Sequence, residues 1–141
     1  MGSRTSEKVT EQRDRVGKVI DARREAEGAA DEAGKALAEV EKEPYIKGKK
    51  APAKKAVRAS GKSAKAAKKA GNIANEAKAK GKKTPSKDPD SEEMKRLGEQ
   101  ASDEAGKADD AAVAANTAAT KAKGMAEITP EEEAEAQSEK P

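Results

Sequence analysis

The chain has no cysteine, histidine, phenylalanine or tryptophan, and Tyr45 is its one aromatic residue. Without cysteine it can form no disulfide, thiolate metal site or thiol nucleophile. Without histidine it lacks the side chain that most often serves as a general base near neutral pH. With Tyr45 as its sole aromatic ring it offers no platform for stacking successive unpaired bases, which argues against single-strand or sequence-specific nucleic-acid reading. Large aliphatic residues are scarce too: six Val, four Ile and two Leu in 141 residues. No apolar run approaches the roughly 18 residues that span a membrane, and no secretory hydrophobic segment occurs. The expectation is an intracellular protein, cytoplasmic or virion-associated.

What the chain has is alanine, which makes up 31 of its 47 apolar residues. Burying an Ala methyl removes little area from water, and at about 25 cal/mol per Å² it supplies little driving force. Alanine is nevertheless the best helix former, with Lys, Arg and Glu close behind. Strand-favouring residues are too few for a sheet. The sequence therefore predicts an all-α chain forming one helical domain over 1–141. Three long Ala-rich helices would pack as an antiparallel bundle or coiled coil, with partly disordered termini.

The charges fall in blocks. Residues 47–83 carry 14 Lys/Arg and one acid, Glu76, for a local charge of +13. Residues 1–46 carry 9 basic and 11 acidic side chains, and residues 84–141 carry 7 and 15. The net charge of +3 hides an acidic–basic–acidic order.

A first helix is expected over 5–43, capped by Thr5 or Ser6. Its heptad register puts Val9, Val16, Arg23, Ala30 and Leu37 at a, and Gln12, Val19, Ala26, Ala33 and Val40 at d. Gln12 and Arg23 interrupt that seam. Gly17, Gly28 and Gly34 cost about 1 kcal/mol each relative to Ala, so the helix depends on packing. Pro44 ends it, and Tyr45 and Ile46 are expected to plug the end of a bundle. Residues 47–51 read as a basic linker, with Pro52 at the start of a second helix over 53–80. Its expected seam is Ala53, Val57, Ser60, Ala64, Ala67, Gly71 and Ala74. Residues 81–90 read as a loop, and Asp90 or Ser91 with Glu93 should cap a third helix over 91–127. Its seam is Met94, Ala101, Ala105, Ala108, Ala112, Ala115, Ala119, Ala122 and Ala126, with Leu97, Val113 and Met125 beside it. Thr129-Pro130-Glu131-Glu132 opens a short acidic C-terminal helix over 130–141 whose last residues fray. Asp-Glu-Ala-Gly-Lys-Ala occurs at 31–36 and again at 103–108, which points either to a duplicated helix or to a shared packing device.

Three motifs bear on chemistry. Ala56-Val57-Arg58-Ala59-Ser60-Gly61-Lys62-Ser63 fits a relaxed phosphate-loop pattern, but no hydrophobic strand precedes it. Asp109-Asp110 and Glu131-Glu132-Glu133 lack calcium-loop spacing. Met1-Gly2-Ser3-Arg4-Thr5-Ser6 fits an N-myristoylation pattern, and a single acyl chain holds a membrane only marginally without a second signal. No catalytic residue, cofactor or metal site is expected, and the chain reads as non-enzymatic.

On the second helix, Lys54, Arg58, Lys62, Lys65 and Lys69 fall at spacings of three and four and form a cation stripe. Lys54, Lys55, Arg58, Lys62, Lys65, Lys68 and Lys69 are therefore the candidate polyanion contacts. Lys49-Lys50-Ala51-Pro52-Ala53-Lys54-Lys55-Ala56 and Ser63-Ala64-Lys65-Ala66-Ala67-Lys68-Lys69-Ala70 resemble the lysine/alanine/proline tails of linker histones. That resemblance implies non-specific phosphate neutralisation with steep salt dependence. In its Ala/Lys/Glu/Gly bias the whole chain also resembles the late-embryogenesis-abundant proteins, without an 11-residue repeat, and that resemblance implies a disordered stress protectant. The leading expectation is a structural, assembly or interaction protein whose electrostatic contact surface is 47–83. Its partner would be a protein, a second copy through the Ala seams, or nucleic acid. The competing arrangement is neutralisation of the stripe by the protein's own acidic helices.

Overall fold

The computed structural model describes residues 6–138. The Gly2 acylation pattern and the expected fraying of both termini lie outside the described residues. Four helices follow one another: α1 (Glu7–Lys42), α2 (Ile46–Lys83), α3 (Ser91–Ala126) and α4 (Pro130–Ser138). No strand occurs among the described residues. The three long helices pack against one another as a bundle, and α4 lies on α2.

The helix ends follow local chemistry. Ser6 is extended, and its hydroxyl accepts from the Val9 amide at 3.2 Å. At α4, the Thr129 hydroxyl accepts from the Glu132 amide at 3.1 Å while the Glu132 carboxylate accepts from the Thr129 amide at 3.0 Å. Both halves of a capping box are thus made. The start of α3 departs from expectation. Asp90 has near-helical φ/ψ of −89° and −3° and makes no side-chain cap. The Asp88 carboxylate instead accepts from the Asp90 amide at 2.9 Å and tightens the preceding turn.

The end of α3 is a Schellman turn built without glycine. The Glu127 amide donates to the Gly124 carbonyl and the Ile128 amide to the Lys123 carbonyl, while Glu127 sits left-handed at φ 51°, ψ 50°. An L side chain there costs about 1–2 kcal/mol that glycine avoids. Glu127→Gly should therefore stabilise the protein by about 1 kcal/mol, read from a urea midpoint. An unchanged or lower midpoint would contradict the left-handed assignment.

The largest correction concerns the start of α2. The basic segment 47–51 is helical, and Pro52 lies inside the helix. Proline there removes one ladder bond, to the carbonyl four residues back at Gly48. Compensation comes from the lysines of this extra turn. The Lys49 ammonium donates to the Val40 carbonyl at 2.6 Å and the Lys50 ammonium to the Glu127 carbonyl at 3.1 Å. Both bonds place a cation at the C-terminal end of a neighbouring helix, where the helix dipole favours it. Tyr45 and Ile46 do not plug the bundle; they are 75% and 44% exposed. Only Glu43–Tyr45 connects α1 to α2, and Tyr45 is held extended at the N-cap. Leu37, Met125 and Ile128 pack against that end instead.

The core is graded. At one end Val9, Val16, Val19, Met94 and Leu97 supply the bulk. The middle layer is Ala33, Ala59 and Ala115, with the half-buried Ala30 and Ala118 packed against it. The d positions of α1 are all buried, as expected, but beyond Val19 the seam is Ala22, Ala29 and Ala36 in place of Arg23, Ala30 and Leu37. Two successive steps of three, Val16 to Val19 to Ala22, make this one-residue shift. It frees Arg23 to meet the Glu104 carboxylate at 2.9 Å. On α2, Ser60 and Gly71 are only partly buried and Ala64 is exposed, whereas Ala56, Ala59, Ser63, Ala66, Ala70 and Ala77 are buried. Of the expected α3 seam only Ala112 is not fully buried, and Leu97 joins it. Ala33, Ala36, Ala105 and Ala108 of the repeated hexapeptide are all buried, which fits a shared packing device.

Two polar groups sit inside. The Ser63 hydroxyl donates to the Ala26 carbonyl at 2.8 Å, so the phosphate-loop pattern lies within an α-helix and its final serine is spent on packing. Gln12, fully buried, donates from its Nε2 to the carbonyls of Ala77 at 2.7 Å and Met94 at 3.0 Å. One α1 side chain thereby joins all three long helices. At that level Gly81 and Gly98 let α2 and α3 approach. A Cβ on Gly81 would stand 3.0 Å from the Met94 carbonyl oxygen, and one on Gly98 would stand 3.0 Å from that of Ala77.

Candidate polyanion interface

The seven candidate cations divide into three groups. The first faces α1. Lys55 meets Glu39 at 3.7 Å and Lys62 meets Glu32 at 3.9 Å. The acids are seven residues apart, and so are the lysines. The next heptad step brings Glu25 and Lys69, which line one groove with Lys62 and Glu32. Continued at the same spacing, Glu76 of α2 comes level with Arg15 and Lys18 of α1, and Arg15 meets it at 3.6 Å. That ladder of opposite charges thus reverses sign at Glu76. These are the flanking positions at which charged residues select partner and register in packed helices.

The second group faces α4. Lys54 lies 3.5 Å from Glu135, and Lys50, added by the extra turn of α2, lies 2.8 Å from Glu132. Lys123 of α3 completes the clamp at 2.8 Å from Glu133. Arg58 lines the groove of about 640 Å³ between α1 and α2, near Gln137 of α4. Bonds from the Lys50 ammonium and the Thr129 amide hold the Glu132 carboxyl well below the usual 4.5, at about 2. A depressed carboxylate stabilises docking above its ordinary range and loses that contribution as pH falls through its folded value. Hydrogen exchange at 130–138 should therefore speed up as pH drops from 4.5 toward 2, after correction for intrinsic rates. Constant protection across that window would refute the clamp.

The third group faces outward. Lys65 and Lys68 are exposed, and neither makes an ion pair among the described residues. The same holds for Lys78, Lys80, Lys82 and Lys83 farther along α2. Helical spacing sets Lys65, Lys68 and Lys83 opposite the buried line Ala56, Ser63, Ala70, Ala74 and Ala77, with Lys80 to one side. From Lys65 to Lys83 this row spans about 27 Å at 1.5 Å per residue. The acid within this half of α2, Glu76, is drawn to Arg15 of α1 at 3.6 Å.

The stripe read from sequence is thus partly spent inside the fold, and its outward portion runs past the seven candidate residues to Lys83, within the expected 47–83 surface. The missed signal was the matched heptad spacing of Glu25, Glu32 and Glu39 with Lys55, Lys62 and Lys69. Among the described residues no group of three or more acidic side chains is arranged to hold a metal ion, and no helix is long and apolar enough to cross a membrane. Comparison of the chain with protein-family models, with curated proteins and with solved structures finds no match.

Proposed function

We propose that this protein is a non-enzymatic antiparallel helical bundle that meets a polyanionic partner through the outward row of α2, Lys65, Lys68, Lys80, Lys82 and Lys83. One observation carries the reading: the upper cations of α2 are neutralised by α1 and α4, whereas this row makes no ion pair among the described residues. Exposed like charges on one helix face repel, and an external polyanion relieves that cost. The antiparallel arrangement is supported by the order of contacts: Gln12 meets Ala77, Ala26 meets Ser63, and Val40 meets Lys49. The scarcity of aromatic side chains favours backbone contact over base reading.

The test is a gel-shift salt titration with a duplex DNA of random sequence. The wild-type chain should bind at low salt, with log K falling linearly against log salt by about 0.9 per phosphate contacted. Replacing Lys65, Lys68, Lys80 and Lys83 by Gln should flatten that slope by about 3–4. Replacing Lys55 and Lys62 by Gln should leave the slope nearly unchanged and lower thermal stability. No binding at low salt would overturn the duplex reading, and the surface would then be tested against an acidic protein partner.

A further inference from the structure

We infer that α4 is an intramolecular stand-in for the polyanion, covering the upper part of the α2 cation row until an external polyanion displaces it. The inference rests on the outward row being a polyanion surface, and concerns how that surface is extended. α4 is nine residues long, with Glu131, Glu132, Glu133 and Glu135 and one buried side chain, Ala136. A helix this short has little stability of its own, and a single methyl anchors it weakly. Among the described residues three ion pairs, to Lys50, Lys54 and Lys123, hold it, with the added bond from Lys50 to the Glu127 carbonyl. Their side chains are between 23% and 61% exposed, so salt and competing anions reach them. Successive carboxylates along α4 meet successive ammonium groups along α2, as phosphates of a linear polyanion would. When α4 leaves, Lys50 and Lys54 join the row that begins at Lys65, and the contact surface roughly doubles in length.

The experiment compares the wild-type chain with two full-length triple variants of equal charge change. One is Glu132→Gln, Glu133→Gln, Glu135→Gln. The other is Asp21→Asn, Asp109→Asn, Asp110→Asn, at exposed positions on α1 and α3 that make no ion pair among the described residues. Each is titrated with a 20-base-pair DNA duplex over a range of salt, with hydrogen exchange at 130–138 followed in the same samples. The α4 variant should steepen the salt slope by about 2, because two or three more lysines reach phosphates at about 0.9 each. The charge-matched variant should keep the wild-type slope. Duplex added to wild type should speed exchange across α4 and leave α3 protected. Equal slopes in the two variants, with α4 exchange unchanged by bound duplex, would overturn the inference and leave the outward row standing. Failure of all three proteins to bind duplex at low salt would overturn both.

Discussion

Replacing Gly17, Gly28, Gly34 and Gly106 together by alanine should raise the melting temperature by about 8–15 °C. Each lies inside a long helix, and a Cβ at each would meet nothing within 4 Å. None has a positive φ. Alanine therefore fits the native backbone and narrows the unfolded ensemble, which yields about 0.5–1 kcal/mol per site. The positions are far enough apart to add, for about 2–4 kcal/mol in total. In a chain of this size each kcal/mol moves the midpoint by about 3–4 °C. The same substitution at Gly81 or Gly98 should reverse sign. There the new methyl meets the carbonyl oxygen of a neighbouring helix at 3.0 Å, and two helices would have to separate, at a cost of about 1–3 kcal/mol. Calorimetry of the fourfold variant and of the two single variants checks both halves. A fourfold variant that melts at or below wild type would show that those glycines are needed in the fold.

Gln12→Ala should be the most damaging single truncation, at about 2–4 kcal/mol. It removes two hydrogen bonds worth about 1 kcal/mol each, and opens a void where one of the largest fully buried side chains had been. It also strips Arg15 of the Gln12 carbonyl that accepts from it at 3.1 Å. The asymmetry of polar burial gives a second, sharper expectation. The Ala77 and Met94 carbonyls already accept ladder bonds within their own helices, so Gln12 serves only their second lone pairs. An apolar side chain of similar volume leaves no carbonyl wholly unpaired. Gln12→Met should thus cost only about 1 kcal/mol. Urea midpoints for the two variants separate these effects, and equal losses would mean that the hydrogen bonds, not the filled volume, hold the three helices together.

The legible parts of the fold are those where one residue type has one use. Ser6 and the Thr129–Glu132 pair cap helices because their side chains match orphan amides, and both stand where sequence put them. The α3 seam was legible because Met94 fixes its phase and the alanines follow at helical spacing. The phase of α2 was not, since alanines at Ala64, Ala66, Ala67 and Ala70 allow more than one buried face of nearly equal hydrophobicity. The lysines and Ser63, which bonds Ala26, settle it. Proline at 52 misled because the rule against internal proline weighs one lost hydrogen bond, while Lys49 and Lys50 gain bonds to two other helices that no local pattern reveals. Gln12 looked like a flaw in an apolar seam; its role depends on Ala77 and Met94, which are remote in sequence. The cation stripe was visible as a row, but its division between inner ladder, α4 clamp and outward face depends on which acids lie opposite.

The reversed rung of the α1–α2 ladder has a consequence for folding. An all-alanine layer such as Ala33, Ala59 and Ala115 packs almost as well when one helix slides along another by two turns, so methyl groups alone leave the alignment loose. Sliding by seven residues in one direction would set Lys18 level with Lys69, and in the other direction Glu25 level with Glu76, and each such like-charge encounter raises the energy of the misaligned state. In the native alignment the contacts of Lys55 with Glu39, Lys62 with Glu32 and Arg15 with Glu76 are all attractive. A chain with too little bulk to index its own helices by shape thus indexes them by sign, and exchanging Lys18 with Glu76 should give up the Arg15–Glu76 contact while making the slipped alignment accessible.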